Sequence, residues 1–293
     1  MYFMHKFRDD LFLKDESLKN YCTFKIGGNA KYLFIAHDTS SLLHVCKHCN
    51  THNIRFKIIG LGANLLFDDL GFDGAIIVNR SNKTLIKNNS AYVDSGTSIA
   101  SLIQKCYQRN LSNIEKLAGI PATVGGAIVN GLGSFDVNFC QFVDYVICYK
   151  KEDLNTPIKL QNKDCKFAYR NSIFKEGDYI ITKAKINLKA ENKLIIKQAM
   201  LESLKKKSAT QPICQPSAGS IFKRGEIIPS KIIDELGLKG TRIGGAEIST
   251  KHAGFIVNID NATSNDVKQL ILLIQNMVKD KFNIDLKPEI EFV

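Results

Sequence analysis

The sequence lacks an apolar run long enough for a membrane-spanning helix or the core of a signal peptide, and its opening stretch, MYFMHKFRDDLFLKDESLKN, carries basic residues without one. A cytoplasmic location is expected. It also lacks internal repeats and low-complexity linkers. With 293 residues, 44% of them hydrophobic and 24% charged, a disordered chain is excluded and two or three compact units are expected. The cysteines, Cys22, Cys46, Cys49, Cys106, Cys140, Cys148, Cys165 and Cys214, have no spacing of a disulfide scaffold, so reduced thiols are expected.

One compact cluster, His44, Cys46, His48, Cys49 and His52, contains a Cys-x-x-Cys pair. No second Cys-x-x-Cys pair is present to complete a tetrahedral zinc set. The periodicity instead predicts a helix from about Ser40 to Asn53, with Leu42, Leu43, Val45, Cys46 and Cys49 on its apolar face and the histidines near solvent. No metal is expected. The formal charge of +11 favours anionic partners without choosing among them. Lys205, Lys206 and Lys207 close a helix predicted from about Asn192, where cations complement the carboxyl-end dipole and a solvated end is expected. No stacking-aromatic pattern accompanies them, so neither nucleic acid nor membrane is an expected partner.

What is present is glycine in two special stretches. Ile58 to Asp69 reads IIGLGANLLFDD, a strand running into Gly60, Leu61, Gly62, Ala63, Asn64 and Leu65. Missing side chains there let backbone N–H groups approach an anion, although a tight turn alone would use the same residues. The third glycine of the dinucleotide fingerprint is absent, which disfavours a Rossmann fold. The second stretch, LAGIPATVGGAIVNGLGSF from Leu117 to Phe135, sets Gly119, Gly125, Gly126, Gly131 and Gly133 among small residues, with Pro121 the rigid element. Such a stretch can lay backbone donors along a pyrophosphate and let a flat ring pack against the chain, so Leu117 to Phe135 is a predicted cofactor cradle. Around these turns the texture is α+β. AYVDSG and IITKAKINLKA read as strands, Ser98 to Gln108 as a helix, and TSNDVKQLILLIQNMVKDKF as a helix opened by a Thr or Ser cap.

Seven segments taken in order resemble the UDP-N-acetylenolpyruvoylglucosamine reductases, a family within the vanillyl-alcohol-oxidase-like FAD-binding superfamily. They are YCTFKIGGNA at Tyr21, GLGANLLFDD at Gly60, EKLAGIPATVGGAIVN at Glu115, CKFAYRNSIFK at Cys165, SAGSIFKR at Ser217, LKGTRIGGAEISTKHAGFIVN at Leu238 and DLKPEIEFV at Asp285. The resemblance implies an α+β fold with a two-subdomain FAD-binding module (1–84 and 85–190) and a C-terminal α/β substrate-binding domain (191–293). It implies non-covalent FAD, NADPH as hydride donor, UDP-N-acetylenolpyruvoylglucosamine as substrate and UDP-N-acetylmuramate as product, with a monomer expected. The short distance from Arg170 to Ser220 resembles the class without an inserted tyrosine loop.

By motif position, the resemblance assigns contacts with the FAD pyrophosphate and flavin to Gly60 to Leu65 and to Gly119, Ile120, Pro121, Ala122, Thr123, Val124, Gly125, Gly126 and Ala127, and carried over residue by residue it assigns active-site roles to Arg170 in AYR, Ser220 in SAGS and Glu289 in KPEIEF. A planar guanidinium at Arg170 suits a substrate carboxylate as charge builds during hydride addition. Glu289 suits stabilisation of the enolic intermediate. Ser220 lacks the G-x-S-x-G elbow of a hydrolase nucleophile, so donating a proton to the α-carbon is the simpler role. Lys223, Arg224, Lys231, Lys251, His252 and Asn258 are weaker candidates for contacts with diphosphate, uridine or NADPH phosphate. The chain departs from the family pattern at Ala122, where glycine is usual, at Gly131 to Phe135, and at Arg224, where Asn is common. Ala122 is harmless at negative φ and strained in a left-handed turn. Oxidases of the superfamily often tether FAD through a histidine in the first glycine-rich region; Ile58 to Asp69 contains none.

Overall fold

The structure is a computed structural model that describes residues 11–134 and 137–293. Phe135, the last residue of the second glycine-rich stretch, and the first half of the N-terminal stretch lie outside the described residues. The chain divides into two compact units, one made of 1–15, 32–60 and 73–204, the other of 16–31, 61–72 and 205–293.

Two sheets lie wholly or mainly in the first unit. One has the hydrogen-bonded order Leu13–Ser17, Asn29–Ala36, Phe72–Asn79, Phe56–Ile59, its last two strands parallel with Phe56 opposite Ala75. Helix Thr39–Thr51 packs on it, started by a capping box in which Asp38 accepts the Ser41 N–H at 2.7 Å. Its buried face is Leu42, Val45, Cys46 and Cys49, and Leu43 packs half-buried beside it, against a cluster that includes Ala36, Phe56, Ala75 and Ile77. The two thiols are core groups. Burial pushes the Cys46 thiol far up and that of Cys49 to about 12, so the thiolate that a metal or a redox reaction needs is disfavoured. The histidines differ from expectation: His44 is exposed, but His48 and His52 are half-buried with their rings 4.3 Å apart. Spaced four residues apart on one helix, they stack along a turn rather than extending into water.

The second sheet is antiparallel and five-stranded, in the order Asp153–Gln161, Val143–Lys150, Tyr179–Asn187, Ser90–Asp94, Thr84–Lys87. Helix Ile99–Gln108, capped by Ser98, and the short helix Val124–Val129 bury Ile99, Leu102, Ile103, Val124, Ala127 and Ile128 in the same cluster as Val93, Val146, Ala184 and Ile186 of the sheet. The strand Tyr179–Asn187, whose alternation reads as a strand in the sequence, lies at its centre.

Helix Lys193–Thr210 runs past the lysine cluster rather than ending on it. Lys205 and Lys206 are exposed, but Lys207 is only 3% exposed, and desolvation lowers its pKa to about 8. A fully solvated helix end is thus corrected for Lys207. Its place four residues after Ser203 and eleven after Ile196 puts it on the buried stripe of this helix.

In the second unit, helix Ser264–Phe282 opens with a capping box between Thr263 and Asp266 and buries Val267, Leu270, Ile271, Ile274 and Val278. A three-stranded sheet, Arg242–Ile243, Ala246–Ile248 and Ile256–Asn258, and helix Pro229–Glu235 complete its regular framework. The strand Leu65–Leu66 of the first glycine-rich segment pairs in parallel with Glu291–Phe292.

Candidate cofactor and active site

Gly60, near the start of the first glycine-rich stretch, meets the second stretch inside the first unit. A Cβ on Gly60 would lie 2.3 Å from Thr123 Oγ1, so only glycine allows this approach. Thr123 caps the helix Val124–Val129, its hydroxyl accepting the Gly126 N–H at 3.2 Å. Ala122 has no positive φ, so it replaces the family's glycine without strain, whereas Gly119 adopts φ +84 and uses the freedom of its residue type. Gly125 is held by its own N–H, which donates to Ser95 O at 2.7 Å, and a Cβ there would lie 3.1 Å from that oxygen. A Cβ on Gly126 would meet only Thr123 Oγ1, at 3.3 Å.

Behind this turn lies a buried polar network that reading the sequence missed. Asn79 Nδ2 donates to Ser95 Oγ at 2.8 Å, Ser81 Oγ donates to Asn79 Oδ1 at 2.8 Å, and Ser95 Oγ donates to Ile181 O at 2.7 Å. Arg80 Nη1 donates to Gly60 O at 3.2 Å. Thr97 Oγ1 is fully buried with no hydrogen-bond partner among the described residues. The small polar runs Asn79-Arg80-Ser81 and Ser95-Gly96-Thr97-Ser98, each following a strand, are the signal that could have found them.

Arg170 is on the same unit, with φ +53. Its Nη1 donates to the carbonyls of Gly133 at 3.2 Å and Gly131 at 3.4 Å, and its guanidinium lies 5.4 Å from the centre of the Tyr169 ring. The arginine is turned onto the end of the second glycine-rich stretch rather than left as a surface cation.

In the second unit, the loop after Gly60 carries a row of backbone donors. Among the described residues, the N–H groups of Leu61, Gly62, Ala63 and Asn64 make no hydrogen bond within the protein. Gly62, at φ +64, sits against Tyr21 O, where a Cβ would be 2.3 Å away, and its carbonyl accepts the Thr23 N–H at 3.3 Å. Thr23 Oγ1 donates in turn to Ser217 O at 2.6 Å, which ties the loop to the SAGS turn. Glu289 N–H donates to Ile221 O at 2.7 Å, so the residue after Ser220 and Glu289 are adjacent rungs, and Asn64 Nδ2 donates to Glu289 O at 3.1 Å. Ser220 itself is exposed. The first glycine loop, the serine turn and the C-terminal glutamate are therefore brought together.

Some weaker candidates serve the fold. Asn258 donates to Phe24 O and Lys25 O and accepts the Ala262 N–H, which commits its amide. Lys251 Nζ is bound to Ser208 O. His252 Nδ1 accepts the Gly254 N–H at 3.1 Å, and burial lowers its pKa. No group of three or more His, Cys, Asp or Glu among the described residues could hold a metal ion.

In the second unit the row of N–H groups from Leu61 to Asn64 suits a diphosphate, and in the first unit the turn at Gly126, where an added Cβ would meet only Thr123 Oγ1, leaves room for a flat ring; taken separately, each set of residues fits FAD. The comparisons agree with that fit. Residues 30–150 match the FAD binding domain, and residues 211–293 match the UDP-N-acetylenolpyruvoylglucosamine reductase C-terminal domain. The UDP-N-acetylenolpyruvoylglucosamine reductase of Caldicellulosiruptor bescii is 38% identical over 286 residues, covering 96% of this chain and 90% of its own. That of Thermotoga maritima is 38% identical, covering 94% of this chain and 96% of its own. The crystal structure of UDP-N-acetylenolpyruvylglucosamine reductase from Thermus caldophilus superposes with a TM-score of 0.81 at 28% identity, over 94% of this chain and 96% of that one. With its α+β fold, FAD-binding module and C-terminal domain all accounted for, the chain belongs to the UDP-N-acetylenolpyruvoylglucosamine reductase family.

Proposed function

We propose that this chain catalyses the FAD-dependent, NADPH-driven reduction of UDP-N-acetylenolpyruvoylglucosamine to UDP-N-acetylmuramate, a step in peptidoglycan precursor synthesis. The observation that carries this reading is the convergence of an anion-ready loop, Leu61 to Asn64, with the Ser220 turn and Glu289 through adjacent backbone bonds. The loop residues Gly60 to Leu65 and the turn Gly119 to Ala127 hold the cofactor, by backbone donors and by side chains small enough to admit it. Held there, FAD would supply the hydride chemistry that links NADPH to the β-carbon of the enolpyruvyl group.

The protein's own residues handle charge and the proton. As the α-carbon gains enolate character, negative charge spreads into the substrate carboxylate, and the Arg170 guanidinium neutralises it through paired donors. Glu289, held in register by Ile221 and Asn64, stabilises the enolic oxygen by hydrogen bonding. The exposed Ser220 hydroxyl gives its proton to the α-carbon and completes the saturated lactyl ether. The protein works as a cytoplasmic monomer on a small nucleotide sugar, without nucleic acid or membrane. No helix among the described residues is long and apolar enough to cross a membrane.

Purified protein is expected to be yellow, to release its flavin into the supernatant on acid precipitation, and to oxidise NADPH only when the enolpyruvyl sugar is present. A colourless preparation carrying nucleic acid would overturn the reading, and flavin that stays with the acid pellet would point to an oxidase of the wider superfamily.

A further inference from the structure

We propose that the Asn64 side chain takes over a strand-pairing hydrogen bond from its own backbone N–H, and thereby reserves that N–H for the cofactor's diphosphate. Strands Leu65–Leu66 and Glu291–Phe292 are parallel, with Leu65 opposite Glu291, and the Glu291 N–H donates to Asn64 O at 2.9 Å. In a regular parallel ladder the residue that accepts from position 291 through its carbonyl donates to the carbonyl of position 289 through its own N–H. Here the bond to Glu289 O comes from Asn64 Nδ2 at 3.1 Å instead. The Asn64 backbone N–H makes no hydrogen bond among the described residues, and it continues the unpaired row begun at Leu61.

Asparagine suits this substitution because its side chain repeats the peptide amide on a short stem, so it can reach the carbonyl its backbone would have reached. The bond also fixes the carbonyl of Glu289, whose N–H is held by Ile221 O at 2.7 Å. Asn64 is thus a positioning residue with two effects: it keeps a donor available to the anion, and it holds the glutamate in line with the Ser220 turn.

The inference rests on the placement of the cofactor's diphosphate at Leu61 to Asn64, and the test separates the two. Flavin release after dilution of the holoenzyme, followed by fluorescence, is compared between wild type, Asn64→Ala and Asn64→Asp, together with thermal unfolding. In Asn64→Ala the backbone N–H is free to close the ladder on Glu289 O. The variant should unfold near the wild-type temperature yet release flavin about 10-fold faster or more, the effect of losing one donor to a charged group. Asn64→Asp, which offers Glu289 O no donor and adds a negative charge beside the anion, should release it faster still. A merely structural asparagine would lower the unfolding temperature and leave release unchanged. Wild-type release rates in Asn64→Ala would overturn the proposal, and so would failure of that variant to fold, because its backbone N–H should then have replaced the lost bond. Separately, hydrogen exchange of residues 61–64 in the wild type should slow when flavin is bound. Equal exchange in loaded and flavin-depleted wild type would remove the diphosphate placement itself, whatever the variants do.

Discussion

At the scale of single residues, the serine and the glycines make separable predictions. Reduction of the holoenzyme by NADPH needs no proton at the substrate α-carbon, whereas reoxidation by the enolpyruvyl sugar does. Ser220→Ala should therefore be reduced at a near-normal rate in anaerobic stopped flow and be reoxidised at least about 100-fold more slowly, the low end of what a positioned acid contributes. Fast reoxidation would exclude the proton-donor role, and a loss of both steps would make the serine structural. Of the two adjacent glycines, Gly126 is the informative one. A side chain at Gly125 would press on Ser95 of the protein itself, but one at Gly126 meets only Thr123, so Gly126→Val should fold and purify flavin-poor. Full yellow colour in that variant would contradict the cradle. The glycines and Arg170, Ser220 and Glu289 are the candidates that motifs single out, because each lies in a distinctive local string. The network of Asn79, Ser81 and Ser95 could not, since its members are common residues whose value comes only from burial and from partners up to 86 positions apart. Lys207 escaped for the same reason: three lysines in a row look alike until a helix turns one of them inward.

At the scale of elements, the segment Leu65 to Asp69, which follows the proposed cofactor loop, acts as a clamp. The Asp69 carboxylate accepts from Ser264 N–H at 2.8 Å, Ser264 Oγ at 2.8 Å and Asn265 N–H at 3.2 Å, so it caps helix Ser264–Phe282 from a distant part of the chain. Asp69→Ala should cost about 1–2 kcal/mol in urea unfolding, the usual value of a helix cap. An unchanged midpoint would show that Thr263 caps the helix unaided. Lys207 gives a pH signature. Its native pKa of about 8 lies below the ordinary 10.5, so between these values the unfolded chain binds more protons than the native one and stability rises with pH. The stability difference between wild type and Lys207→Met should accordingly shift in favour of wild type from pH 8 to pH 10.5, and a flat difference would contradict the desolvated amine. The cap of helix Ser264–Phe282 was legible, since Thr263 precedes an apolar-periodic run. The Asp69 clamp was not, because no local pattern announces a partner 195 positions away.

At the scale of the whole molecule, the fold class follows from the order of strand and helix textures, but the way the chain is shared between its two compact units does not. Residues 16–31 and 61–72 join the unit built mainly from 205–293. The two-residue pairing of Leu65–Leu66 with Glu291–Phe292 is too short to leave a periodic trace in either segment. The net charge of +11 has a consequence at this scale as well: association of the multiply anionic nucleotide sugar should slow as salt rises while the later chemical step is unaffected. The central claim is that this chain reduces the enolpyruvyl ether of a nucleotide sugar, and a single turnover tests it most directly. Holoenzyme reduced with NADPH under anaerobic conditions and then mixed with UDP-N-acetylenolpyruvoylglucosamine should recover its yellow absorbance and yield one UDP-N-acetylmuramate per flavin. Reduced enzyme that stays bleached with the enolpyruvyl sugar, or that recovers colour without forming that product, would contradict the account.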